Sequence, residues 1–223
     1  MPSLQATADF DSSLREADAL LALAASMHGD AVAFSALLKS SILLLTSKLE
    51  AFLEEAAEEC RFFIESAACS SNMLPPAMKV AMLQSFLDDS FLAKLKHGNP
   101  QILDRLDAFR ELFYGDGVQR LIVETKFSYG KHGDSEVRKL FQRFGIKDIF
   151  ESAYEDGIDA IKADLNSLTA IRNNIIHNDA SPSFSVEQVV GFVVKMRDFS
   201  SRLDTCLYEH CLGITMRKVV ESN

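Results

Sequence analysis

One stretch narrows the possible folds more than any other. Between Ala31 and Ala68, Leu37, Leu38, Ser41, Leu44, Leu45, Leu49, Phe52 and Leu53 recur at steps of three and four residues. That spacing puts one wide apolar stripe on a long helix. The stripe has to be covered by other helices, and the rest of the chain supplies candidates. After a loose start over residues 1–10, Ser13-Leu14-Arg15-Glu16 has the form of a capping box and opens a helix running to about Met27. Pro75-Pro76 opens another, read from about Ala77 to Lys96 and closed by Gly98-Asn99-Pro100. Helices are also read from Gln101 to Phe113, from Ser135 to Phe144, and from Asp156 or Gly157 to His177. The last begins at Ser185, in a second capping box with Gln188, and runs to about Leu212. The expected fold is all-α: a bundle of six to eight helices in one domain over 1–223, with an insertion over about 115–150. The insertion's first part, 115–135, is irregular, and residues 118–127 read equally as a short strand or a bent helix.

Composition enters where it removes options. No tryptophan, 5 prolines and 10 glycines in 223 residues agree with a helical class. No apolar run approaches the roughly 18 residues that spanning a membrane requires. The amino terminus has no basic region followed by an apolar one. The four cysteines, Cys60, Cys69, Cys206 and Cys211, form no CxxC pair. A cytoplasmic protein with reduced thiols and no membrane association is expected. Cys206, His210 and Cys211 lack a fourth neighbour, and the two thiols lie about 140° apart on a helical wheel, so neither a metal nor a cofactor is expected. There is no P-loop, dinucleotide fingerprint or GxSxG.

The formal net charge of −9 argues against a whole-surface nucleic-acid binder. Basic residues nevertheless gather over 120–147, where Arg120, Lys126, Lys131, Arg138, Lys139, Arg143 and Lys147 outnumber Glu124, Asp134 and Glu136. This is either a solvated loop and helix face or a local basic surface. Within it, Gly130-Lys131-His132-Gly133 is either a plain turn or a GxxG loop able to approach a phosphate backbone. On the long helix, Glu54, Glu55, Glu58 and Glu59 read as a solvated face. Glu50, between Leu49 and Phe52, lies at the edge of the apolar stripe or turns towards a buried cation.

The densest chemistry is Arg172-Asn173-Asn174-Ile175-Ile176-His177. Ile158, Ile161, Leu165, Leu168, Ile171 and Ile175 form the core-facing stripe of its helix, so the polar trio stands beside that stripe. Asn173 and His177 are four apart and share a face, while Arg172 lies about 100° from Asn173. Arginine offers a fixed fork of donors for phosphate, histidine is a proton shuttle near neutral pH, and a helix C-terminus favours positive charge. By spacing alone, an arginine and a histidine five apart most often serve structure or surface.

The wider pattern resembles a known family. Arginine, four to six residues, then histidine at a helix end, with Asn173 in the polar position after the arginine, looks like the signature of the HEPN superfamily. Leu49-Glu50-Ala51-Phe52-Leu53, the Leu74-Pro75 helix start and Leu140-Phe141-Gln142-Arg143-Phe144-Gly145-Ile146 are similar to the RiboL-PSP-HEPN type. The resemblance is specific over 165–190 and ordered over roughly 35–205. It departs in one place: Asn178 stands where many members have glycine, and asparagine tolerates the left-handed turn. The resemblance implies an all-α domain that forms a homodimer with its Arg/His motifs facing each other, acting as a metal-independent endoribonuclease. His177 would serve as general base or acid, Arg172 would bind the scissile phosphate, Asn173 would orient His177 or the phosphate, and Glu50 would pair with Arg172. Lys131, His132 and Arg138 are candidate RNA contacts. A toxin–antitoxin or phage-defence setting, with an antitoxin or other defence protein as partner, is implied in the same way. The alternative is a non-catalytic HEPN-like module that binds a nucleotide or a protein.

Overall fold

The computed structural model describes residues 3–27, 29–87, 89–100, 102–114, 121–127, 133–178 and 184–216. Those residues form nine α-helices, one 3-10 turn at Ser71–Met73 and no strand. The helices are α1 (Gln5–Ser26), α2 (Ala31–Ser66), α3 (Pro76–Phe86), α4 (Asp89–Lys96), α5 (Ile102–Tyr114), α6 (Asp134–Gln142), α7 (Ile149–Ala153), α8 (Ile158–Asn178) and α9 (Val186–Met216). The all-α expectation holds. The count exceeds six to eight because Ile149–Ala153 is a helix of its own and the stretch read as one helix over 77–96 is two. The helix breaks at Leu87, beside Asp88-Asp89-Ser90, residue types that favour a new helix start over continuation.

The long stripe does what its spacing demands. Leu38, Ile42, Leu45, Leu49, Phe52 and Leu53 are buried on α2, which packs against α1, α8 and α9. By length and apolarity α2 matches a membrane span, but the cover over this face is that of a bundle's central helix. Asp30 caps it, its carboxylate accepting from the amides of Val32 and Ala33. Helix α1 runs antiparallel to α2, with Phe10 stacked on Phe52 at 4.9 Å between centroids and Lys48 paired with Glu16 at 3.7 Å. Arg197 of α9 ties the pair down by reaching Asp11 at 2.6 Å and Asp18 at 3.4 Å on α1.

Two local readings change in this part of the molecule. The first helix starts at Gln5, not at Ser13, whose hydroxyl donates instead to the carbonyl of Phe10. Residues 5–12 join the helix because Ala6 and Phe10 extend the buried stripe of Leu14, Ala17, Leu21 and Ala24. The open amides are met from far away: Glu59 accepts from Gln5 and Ala6 at 2.9 and 2.6 Å, and Asp204 accepts from Leu4 at 2.7 Å. The acid row of α2 is therefore more than a solvated face. By contrast, the capping box at the start of α9 forms as written, with Ser185 N–H donating to Gln188 Oε1 at 2.9 Å and Gln188 N–H to Ser185 Oγ at 3.3 Å.

Residues 121–127 are neither strand nor helix. They lie extended over the bundle with Leu121 and Val123 buried. Between α6 and α7 the chain turns at Gly145, where φ is +89° and an added Cβ would come within 2.5 Å of Pro75 Cβ, so both conformation and space require glycine there. Cys60, Cys69 and Cys211 are buried thiols outside any disulfide and Cys206 is partly covered. A hydrogen bond to Cys211, together with burial, pushes the Cys60 thiol well up.

Candidate functional site

Helix α8 brings the motif to the surface by a simple partition. Ile161, Leu165, Leu168 and Ile175 are buried, Ile158 and Ile171 pack partly against the same core, and the polar residues take the remaining faces. Arg172 and Asn173 are half-buried at the edge of the stripe, whereas Asn174, Ile176, His177 and Asn178 are exposed. Arg172 Nη1 donates to Asn173 Oδ1 at 3.1 Å, which fixes the guanidinium against its neighbour. Asn173 thus holds Arg172 through its amide oxygen. Asn178 extends the helix by one residue and donates from Nδ2 to Asn174 Oδ1 at 3.2 Å.

Glu50 faces this cluster from α2. Burial pushes its carboxyl up, the neighbouring Glu54 pushes it further, and the positive charge of Arg172 pulls it back down. The electrostatic effect of Arg172 means that the two side chains sit close enough to feel each other. The site thus holds a rigid cationic fork, a carboxyl beside it and an exposed imidazole one helical turn on. Those groups suit an anionic, phosphate-bearing ligand and a proton transfer.

The other candidates are placed differently. Lys131 and His132 lie outside the described residues. Arg138 is taken up within the fold, pairing with Asp134 at 3.4 Å and Asp148 at 3.1 Å. Asp148 also caps α7 through the Phe150 amide and pairs with Lys162 at 3.6 Å. Lys139 pairs with Glu136 at 2.7 Å, and Arg143 donates to the carbonyls of Glu124 and Lys126 at 2.9 and 3.2 Å. Arg138 and Arg143 therefore brace the fold, while Lys126, Lys139 and Lys147 stay exposed. On α9, His210 Nε2 donates to the Phe144 carbonyl at 2.9 Å, and among the described residues no group of three metal-ligating side chains converges.

Two residues beside the site escape a reading of the motif alone. Glu54 lies one turn beyond Glu50, and its carboxylate accepts from the Phe127 amide at 3.0 Å. Asn166 lies two turns before Asn173 on the same face of α8 and accepts from the Asp134 amide at 3.1 Å. Their helical spacing from Glu50 and Asn173 was the available signal.

A family model described as RiboL-PSP-HEPN matches residues 8–209, which takes in the whole of this site. No curated protein and no solved structure matches the chain.

Proposed function

The chain belongs to the RiboL-PSP-HEPN family, and from that premise we propose that it is a metal-independent endoribonuclease working as a homodimer. The observation that carries the reading is a contrast between two residues five apart on α8. Arg172 is held by Asn173 and balanced by Glu50, while His177 is exposed at the end of α8. Arg172 binds the scissile phosphate and stabilises the charge that grows on it. One His177 takes the proton of the ribose 2′-hydroxyl. The 2′ oxygen attacks phosphorus, and the bond to the 5′ oxygen breaks. The His177 of a second copy returns a proton to that leaving oxygen. The products are a 2′,3′-cyclic phosphate and a 5′-hydroxyl.

A second copy is supported by the surface around the motif. Ile176, between Arg172 and His177, is 49% exposed. An exposed apolar side chain inside a polar site fits an interface. A toxin–antitoxin or phage-defence role, with an antitoxin or other defence protein restraining the activity, belongs to the same proposal.

The test is incubation of the purified chain with single-stranded RNA in excess EDTA, with the DNA strand of the same sequence as control. Cleavage of RNA to cyclic-phosphate ends with DNA intact supports the reading; RNA left whole overturns it. The net charge of −9 favours one competitor, a module that binds a nucleotide or protein without turning it over. Binding of RNA that is not followed by cleavage, and that survives His177→Ala, would select that competitor.

A further inference from the structure

Along one side of α2 a row of carboxylates grips the extended segment 121–127. Glu65 Oε1 accepts from the Leu121 amide at 2.6 Å, Glu58 shares a hydrogen bond with Thr125, and Glu54 accepts from the Phe127 amide at 3.0 Å. The segment therefore runs antiparallel to α2. Arg143 holds it from the other side through the carbonyls of Glu124 and Lys126. Charge-assisted bonds of this kind are the stronger ones, and the row ends at Glu50, the carboxylate that feels Arg172.

The chain is caught again at residue 133. Asn166 Oδ1 accepts from the Asp134 amide at 3.1 Å, and Gly133 lies so close that an added Cβ would come within 2.6 Å of that oxygen. Asn166 precedes Asn173 by seven residues and His177 by eleven. At 100° per residue the three fall within about 20° of one line along α8. Phe127 and Asp134 are thus fastened to the two helices that carry the site. The anchors lie about 6 Å along α2 from Glu50 and about 10 Å along α8 from Asn173. The sequence between the anchors includes Lys131 and His132.

We propose that Glu54 and Asn166 are positioning residues for RNA, Glu54 clamping the 121–127 segment to α2 and Asn166 the start of α6 to α8, so that both flank a strand bound at Arg172 and His177. The proposal rests on the ribonuclease reading and adds a substrate-binding frame that the motif alone does not contain. Neither residue touches the reacting atoms; each acts through a backbone amide.

The experiment measures RNA binding by fluorescence anisotropy on a His177→Ala background, where the strand stays whole, and steady-state cleavage on the otherwise wild-type chain. Glu54→Ala and Asn166→Ala are each expected to weaken binding and raise KM about ten-fold, the equivalent of one hydrogen bond, with kcat kept within about two-fold. Glu54→Gln retains an acceptor oxygen and restores binding. Hydrogen exchange at the Phe127 amide in Glu54→Ala, and at the Asp134 amide in Asn166→Ala, is expected to accelerate. This readout needs no activity. Faster exchange with unchanged RNA affinity overturns the proposal, as does unchanged exchange. If the His177→Ala chain binds no RNA at all, the ribonuclease reading falls and the proposal falls with it.

Discussion

Glu59 and His177 are both polar side chains on helices of the core bundle, and the fold treats them in opposite ways. Glu59 turns inward and satisfies two open amides at the start of α1. His177 is exposed at the end of α8 and makes no hydrogen bond or ion pair among the described residues. The same contrast separates two regions. Around α1, α2 and α9, charged groups are consumed by structure: Asp204 on Leu4, Arg197 on Asp11 and Asp18, and Arg61 on Glu58 and Glu65. At the end of α8, His177 is kept where no cap or strap needs it. A polar group that the fold does not use is the better candidate for chemistry.

Variants in the two regions should therefore separate stability from activity. The largest effect on stability is expected from Phe52→Ala, which removes a fully buried ring stacked on Phe10. It should lower unfolding free energy by about 3–5 kcal/mol in denaturant titrations, with the cleavage rate per folded molecule retained. Glu59→Ala comes next. Leaving two amides at the start of α1 without their acceptor should cost about 1–2 kcal/mol, seen as a lower Tm with cleavage unchanged. A loss of cleavage in either variant without a matching loss of folded protein would break the division.

The smallest effect concerns pH. Glu50 has a carboxyl pushed up by burial and by Glu54, against the pull of Arg172. An acid whose folded-state pKa is raised binds its proton more tightly when folded, so its contribution to stability declines as pH rises from the ordinary carboxylate range. Glu50→Gln removes that decline. The variant should match wild type at low pH and melt about 1–2 °C higher at neutral pH, less than a full 1 kcal/mol would give because the group is only partly buried. Glu58 carries the opposite sign. Its hydrogen bond to Arg61 holds its carboxyl down, so its contribution is present above the ordinary carboxylate value and lost as pH falls through the lowered one.

The sequence was most informative where a helix's neighbours along the chain decide its structure. The stripe of α8, the capping box of Ser185 and Gln188 and the sharing of a face by Asn173 and His177 depend on residues within a few positions of each other. The start of α1 was not legible, because its caps come from Glu59 and Asp204, 54 and 200 residues away in the bonds they make to Gln5 and Leu4. Arg138 read as a surface cation until Asp134 and Asp148 folded against it. Glu54 and Glu59 read as solvated for the same reason: their partners, Phe127 and Gln5, are brought to them only by the tertiary fold. The Arg172–Asn173 contact lies between neighbours, yet its direction, with the amide serving the arginine, was open until the side chains were placed.

The central claim is the proposal that His177, exposed at the end of α8, serves chemistry and not the fold. The most direct measurement takes one preparation of His177→Ala and records both its melting curve and its rate of RNA cleavage in EDTA beside wild type. Loss of a general acid or base is expected to slow cleavage at least about 100-fold, with Tm unchanged to within about 1 °C because an exposed side chain is removed. Cleavage at the wild-type rate, or a loss of cleavage that only follows a fall in Tm, would contradict it.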